Sequence, residues 1–355
     1  MKKLIALLLA VAMLFALAAC GQTSEPAAPA ASTPAATPAA PAAAAPAEQY
    51  VINVAHTVAE ETSMQKGAIA FKEYCEANSN GQLVVNVYPN GQLGGDRDTC
   101  EGVGNGQVTM MLSSNAVHAN FIPDSIIFDM PFMYPTTEFA RKVLDNPDFK
   151  AKMTEVYAAS GYHYMGAADQ GFRTLSTNKK VVVPADLKGV LIRTMENKYH
   201  MAAWEALGAS PTPMNFNEVY TALQQGTIDA QENPIELIYS NKFYEVQKYV
   251  VLTNHIFQNI VWIMNEDFYQ SLPDDLKKVV DEATEVGLKT SREATDAGLA
   301  GNIQGIKDSG TEVIELDEAQ LAEFKSAMTS VWDLIAADCD KDVYDTYMKA
   351  VEAAK

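Results

Sequence analysis

Arg193 is the residue whose type and setting point most directly to chemistry. It closes the apolar run Val190-Leu191-Ile192 and stands ahead of a helical segment containing Tyr199. In an α/β unit, ligand crevices open at the C-terminal ends of strands. A guanidinium there suits a carboxylate. Its planar fork makes two parallel charge-assisted hydrogen bonds, whereas a lysine offers a compact point charge. From position alone, the same arginine also reads as a surface cation paired with one of the chain's many acids. Catalytic signatures are sparse: there is no G-x-S-x-G elbow, P-loop, C-x-x-C or H-E-x-x-H. Gly102-Val103-Gly104-Asn105-Gly106 misses the G-x-G-x-x-G spacing and leads into a strand, so it reads as a helix stop and turn. His56, His118, His163, His200 and His255 are scattered, and His56 with Glu60 comes nearest to a metal-ligand pair. The expectation is a binding protein without catalytic residues, metal or cofactor.

The alternation in Tyr50-Val51-Ile52-Asn53-Val54-Ala55 predicts a strand, and a helix follows from about Ser63 to Asn78. Leu83-Val84-Val85-Asn86-Val87-Tyr88 predicts a second strand, ended by Pro89-Asn90-Gly91, and a short helix from about Gly95 leads to a third strand at 108–112. Strands alternating with helices at this spacing imply βαβ units and a largely parallel sheet. The pattern recurs over 190–229, with helices near 198–207 and 216–225, so the chain is expected to form two lobes. Leu272-Pro273-Asp274-Asp275 marks a helix start, and the following stretch runs to about Lys307 without a proline. A helix of that length outgrows one small lobe and is expected to cross both as a brace, although Gly287, Gly298, Gly301 and Gly305 weaken it. Trp204 and Trp262 read as core, with the cleft as an alternative place for Trp262.

The 355 residues are 48% hydrophobic and 20% charged, which excludes whole-chain disorder and allows two or three domains. The formal charge of −19 argues against nucleic acid or an anionic lipid surface as partner, and an anionic ligand must be captured by local positive charge. Residues 1–19 read as a signal peptide: Lys2 and Lys3 precede an apolar run shorter than the roughly 20 residues a bilayer requires. Leu17-Ala18-Ala19-Cys20 resembles the lipobox of bacterial lipoproteins, which implies a lipid anchor on Cys20. Residues 20–49, rich in Ala and Pro, read as an extended tether. Together these segments describe an extracytoplasmic protein lipid-anchored to the outer face of the membrane. Cys75, Cys100 and Cys339 are odd in number, so free, mostly buried thiols are expected, with a Cys75–Cys100 bridge as the alternative.

The most informative block comprises GFRTLSTN (171–178), LKGVLIRTMEN (187–197), LGASPTPMNFNEVYTALQQGTIDAQENP (207–234) and KFYEVQKYVVLTNH (242–255). With YPNGQLGGDRD (88–98) and FDMPFMY (128–134), it closely resembles the solute-binding subunits of tripartite ATP-independent periplasmic (TRAP) transporters, the DctP family. The resemblance implies an α/β, two-lobed, periplasmic-binding-protein-like fold of type II, with an inter-lobe cleft, crossing strands and a long bracing helix. Lobe 1 would take about 50–170 and lobe 2 about 171–254, each with part of 255–355. It also implies an organic-acid ligand delivered to membrane permease subunits. Arg193 matches the family arginine that holds the ligand carboxylate. Arg173 matches a second one nearby, with a salt bridge at the lobe junction as its other reading. Asn233 matches an asparagine that hydrogen-bonds the acid, and Phe216 an apolar wall. Ala230 stands where the family usually has glycine. Lobe 1 would supply selectivity from His56, Glu60 and Glu61, from Asp96 and Arg97, and from Ser113 and Asn115, with Glu60 the expected hydroxyl acceptor. RTMEN with His200 is more similar to sugar-acid binders, which implies a polyhydroxy acid such as a hexuronate, with a C4-dicarboxylate as alternative. A lipoprotein sensor partnering a signalling receptor and a surface hydrolase or lyase are the competing classes.

Overall fold

The computed structural model describes residues 48–355. The signal segment, Cys20 and the tether up to residue 47 lie outside the described residues. Among the described residues nine strands form one sheet: β1 (Tyr50–Ala55), β2 (Leu83–Tyr88), β3 (Met110–Ser114), β4 (Tyr162–Thr177), β5 (Leu191–Thr194), β6 (Ser210–Pro213), β7 (Ala230–Pro234), β8 (Tyr249–Asn265) and β9 (Glu312–Ile314). Their order is β2-β1-β3-β8-β4-β7-β5-β6, with β9 paired to β8. The outer pairs β1–β2, β1–β3, β5–β6 and β5–β7 are parallel, as the βαβ spacing predicts. The centre departs from that expectation: β4 and β8 pair antiparallel with each other, and β3–β8 and β4–β7 are antiparallel too.

The two long strands make one sheet into two lobes. The N-terminal part of β4 pairs with residues 259–265 of β8, and β3 extends this half. The C-terminal part of β4 pairs with residues 249–257 of β8, and β7 extends the other half. Between the halves the register breaks twice. Gln170 and Gly171 bulge from β4, and residues 252–255 bulge from β8. Gly171 takes φ +77 and Asn254 φ +44, in the left-handed region where a glycine, or failing that an asparagine, is tolerated. Bulges of this kind bend a strand and end regular pairing, so this is where the lobes can swing.

Helix Asp274–Asp308 runs for 35 residues, about 52 Å. It packs on helix Ser63–Asn78, on β4 and on helix Ile235–Ser240, and so touches both halves. Gly287, expected to weaken it, is what lets it pack. A Cβ there would lie 2.4 Å from the Trp262 ring and 3.0 Å from the Gly67 carbonyl oxygen. Trp262 is accordingly core, with its edge against Phe71, and not part of the cleft. Arg292 donates to the Ala167 carbonyl and Thr295 to that of Asp169, so the brace grips β4 just before the hinge. Cys75, Cys100 and Cys339 are free and buried. Among the described residues, no helix is long and apolar enough to cross a membrane.

Candidate functional site

Arg193 lies near the C-terminal end of β5, where Ile192 and Thr194 are buried and the strand is flanked by β6 and β7. Its Nε and Nη2 both donate to the Met214 carbonyl, at 2.9 and 2.6 Å, which pins the fork. Nη1 is buried and has no hydrogen-bond partner among the described residues, and Arg193 lines the cavity between the halves. Among the described residues no carboxylate forms a close ion pair with the guanidinium, although Glu232, Asp96 and Glu196 act on it from further away. Burial, with repulsion from Arg173, lowers its pKa to about 10, so it stays cationic at neutral pH. Phe216 stands 6.0 Å from its Cζ and is itself braced edge-on by Phe243. The fork is thus held in place by Met214 and Phe216 with one charged nitrogen unused.

Arg173, on β4, shares the wall but is already paired. It is fully buried, and its Nε and Nη2 reach both carboxylate oxygens of Glu232, at 2.5 and 2.6 Å. Nη2 also donates to the Glu232 carbonyl and Nη1 to Gln258 at 2.7 Å. Of five N–H donors, one on Nη1 is left. Burial alone would raise the Glu232 pKa; the Arg173 charge and hydrogen bonds from His255 and Arg173 reverse this and hold it well below the usual carboxylate range. The salt-bridge reading of Arg173 is therefore the one its geometry displays, with a single donor remaining for a ligand. Asn233 also lines the cavity, its amide donating to Gln231.

The opposite wall comes from β1, β3 and the Gly95-Asp96 turn. Asp96 opens helix Asp96–Gly104 and accepts from Thr57 Oγ1 at 2.9 Å. Burial raises its pKa, partly offset by that bond and by Arg193. Ser113 is in the wall with its hydroxyl on His118 Nε2 at 2.8 Å. Two expected residues are elsewhere. The His56 ring turns to Gln65 at 2.6 Å, under helix Ser63–Asn78, and Glu60 is exposed in the turn. The chain leaves β1 so that Thr57 and Val58 enter the cavity instead. His200 also lies outside it, 3.2 Å from Asp129. Sequence reasoning missed Thr57, Met64, Gln170 and Gln258. The only signal for Gln170 was its place beside Gly171 in the GFRTLSTN segment.

The halves meet closely. A Cβ on Gly95 would lie 1.8 Å from Asn215 Nδ2, and one on Gly91 would lie 2.4 Å from Asn217 Nδ2. The cavity between them, about 20 Å³, has room for little more than one water. A sugar-sized acid therefore enters only when the halves part. No three His, Cys, Asp or Glu side chains among the described residues are grouped to hold a metal ion.

An Arg-walled cavity between two lobes joined by crossing strands is the layout of a solute-binding protein. The chain belongs to the bacterial extracellular solute-binding protein family 7, DctP, whose model matches residues 54–338. It is 34% identical over 295 residues to the C4-dicarboxylate-binding periplasmic protein DctP of Rhodobacter capsulatus, covering 81% of this chain and 87% of that protein. A TRAP solute-binding protein of Anaerococcus prevotii with bound glucuronate superposes with a TM-score of 0.82 at 28% identity, covering 86% of this chain and 99% of the other. One from Shewanella oneidensis with bound succinate gives 0.81 at 28% identity, over 85% and 99%. Proteins of this family bind organic acids outside the cytoplasm and work with membrane permease subunits.

Proposed function

We propose that this chain captures a hydroxylated monocarboxylate, a sugar acid of the uronate or aldonate class, and hands it to a TRAP permease. The observation that carries this reading is the buried, cationic Arg193 of the cavity wall, whose Nη1 has no hydrogen-bond partner among the described residues. The acid docks on that fork, and Arg173 and Asn233 add donors at its flank. Asp96, across the cavity, accepts hydrogen bonds from ligand hydroxyls and offers no positive charge to a second carboxylate, which favours a sugar acid over a C4-dicarboxylate. Lobe 1 (about 50–170) and lobe 2 (about 171–254), each with part of 255–355, then close about the β4–β8 hinge onto the acid, which keeps the gap wider than the present cavity of about 20 Å³. Closure is selected to the extent that the acid binds the closed form better. A lipid on Cys20 and the tether of residues 20–49 keep the protein at the outer face of the membrane.

The test is calorimetry with D-glucuronate, D-galactonate and succinate. Arg193→Lys is expected to weaken binding of the preferred acid more than tenfold with an unchanged melting temperature. Unchanged affinity removes Arg193 from the mechanism. Consumption of the acid on prolonged incubation would instead favour a hydrolase or lyase.

A further inference from the structure

Gln170, in the cavity wall, and Glu236, its hydrogen-bond partner, are polar groups that the carboxylate site does not use. Gln170 sits in the β4 bulge, just before Gly171, and is 3% exposed. Its Nε2 donates to Glu236 Oε2 at 2.8 Å. Its Oε1 is buried with no partner, in a residue of the cavity wall. The carboxylate sets this orientation, because a flipped amide would press oxygen against oxygen. Glu236 lies two residues beyond β7, in the half built on β5–β7. It also accepts from the Ser63 backbone N–H and hydroxyl, both at 2.7 Å, and Ser63 begins helix Ser63–Asn78 of the other half. One carboxylate thus joins both halves and the hinge.

We infer that Gln170 is a ligand-reading residue for a hydroxyl, oriented by Glu236, and that Glu236 latches the closed cleft. This rests on the sugar-acid reading above. The Gln170 carbonyl needs a proton donor. A hydroxyl supplies one, whereas an ionised, hydroxyl-free dicarboxylate does not. The helix N-terminus at Ser63 favours the Glu236 carboxylate for the same reason it favours any anion. Closing the cleft and fixing the Gln170 amide are therefore one event.

The experiment measures equilibrium affinity and dissociation rate on the intact chain, with D-galactonate as probe and succinate as the hydroxyl-free comparison. Gln170→Met is expected to weaken D-galactonate at least tenfold and succinate less than threefold. Glu236→Ala is expected to speed dissociation of both acids, and adding Gln170→Met to it should cost little more, because the amide has already lost its orientation. Glu236→Gln, which keeps the packing, should reproduce the selective loss. Equal weakening of both acids by Gln170→Met overturns the inference, as does an unchanged dissociation rate in Glu236→Ala or independent, multiplying effects. Arg193→Lys is measured alongside. If it abolishes D-galactonate binding while Gln170→Met does not discriminate, only this inference falls. If the unaltered chain binds neither acid, both readings fall.

Discussion

Arg173 and Arg193 show how a neighbour decides what an arginine does. Both are buried in the same wall, but Glu232 forms a close ion pair with one, while the other feels carboxylates only at longer range. A buried ion without a partner is costly, and an incoming carboxylate removes that cost. The position of Arg193 was legible because it follows an apolar run. The pairing of Arg173 was not, since it depends on the β4–β7 register that sets Glu232 against Leu175. The misplacement of Glu60 has a similar origin: composition marks a polar turn, but backbone direction chooses which residue enters the cavity. Asp96→Asn should improve succinate binding relative to D-galactonate at least threefold by calorimetry, because an amide there can donate a hydrogen bond to the second carboxylate. His118 provides a pH test. Burial lowers its pKa to about 3, against about 6.5 in the unfolded chain. The unfolded state binds the proton first, so stability is full above about pH 6.5 and is lost as pH falls toward 3. At pH 5 the loss is about 2 kcal/mol. His118→Gln should flatten the fall of melting temperature between pH 7 and 5, and burial of His56 and His255, whose pKa values are also lowered, leaves a residual slope.

Elements with local signals were read to within a residue or two. β1, β2 and helix Ser63–Asn78 carry alternation or helical spacing, and the long helix has a proline–acid start. β4 and β8 escaped because they are buried on both faces for much of their length and carry polar residues at the hinge, so no alternation marks them. The glycines of the long helix were read as weakness, and the contact of Gly287 with Trp262 and Gly67 could not be inferred from one strand of sequence. Gly287→Ala places a methyl where there is no space. It should cost about 1–3 kcal/mol, seen as a melting temperature several degrees lower. The affinity for the acid should stay within about twofold, because none of Gly287, Gly67 and Trp262 lines the cavity.

The molecule as a whole was legible as two α/β lobes, yet their closeness around Arg193 was not, because it depends on Asn215 and Asn217 fitting against Gly95 and Gly91 from the far half. Gly95→Ala should hold the halves apart. The expected result is weaker acid binding, fivefold or more, with an unaltered melting temperature and a loss of the ligand-induced compaction seen by small-angle scattering. If compaction persists at wild-type affinity, the fit at Gly95 does not limit closure. The crossing strands carry one more consequence. The half that begins with β1 is completed only by residues 260–264, which pair with β3 and β4 long after the chain has left for the other half. A polypeptide emerging N-terminus first therefore has no finished lobe until its last long strand arrives. Until then, β3 presents an unsatisfied edge, and maturation must be late, concerted and vulnerable to truncation anywhere before Asn265.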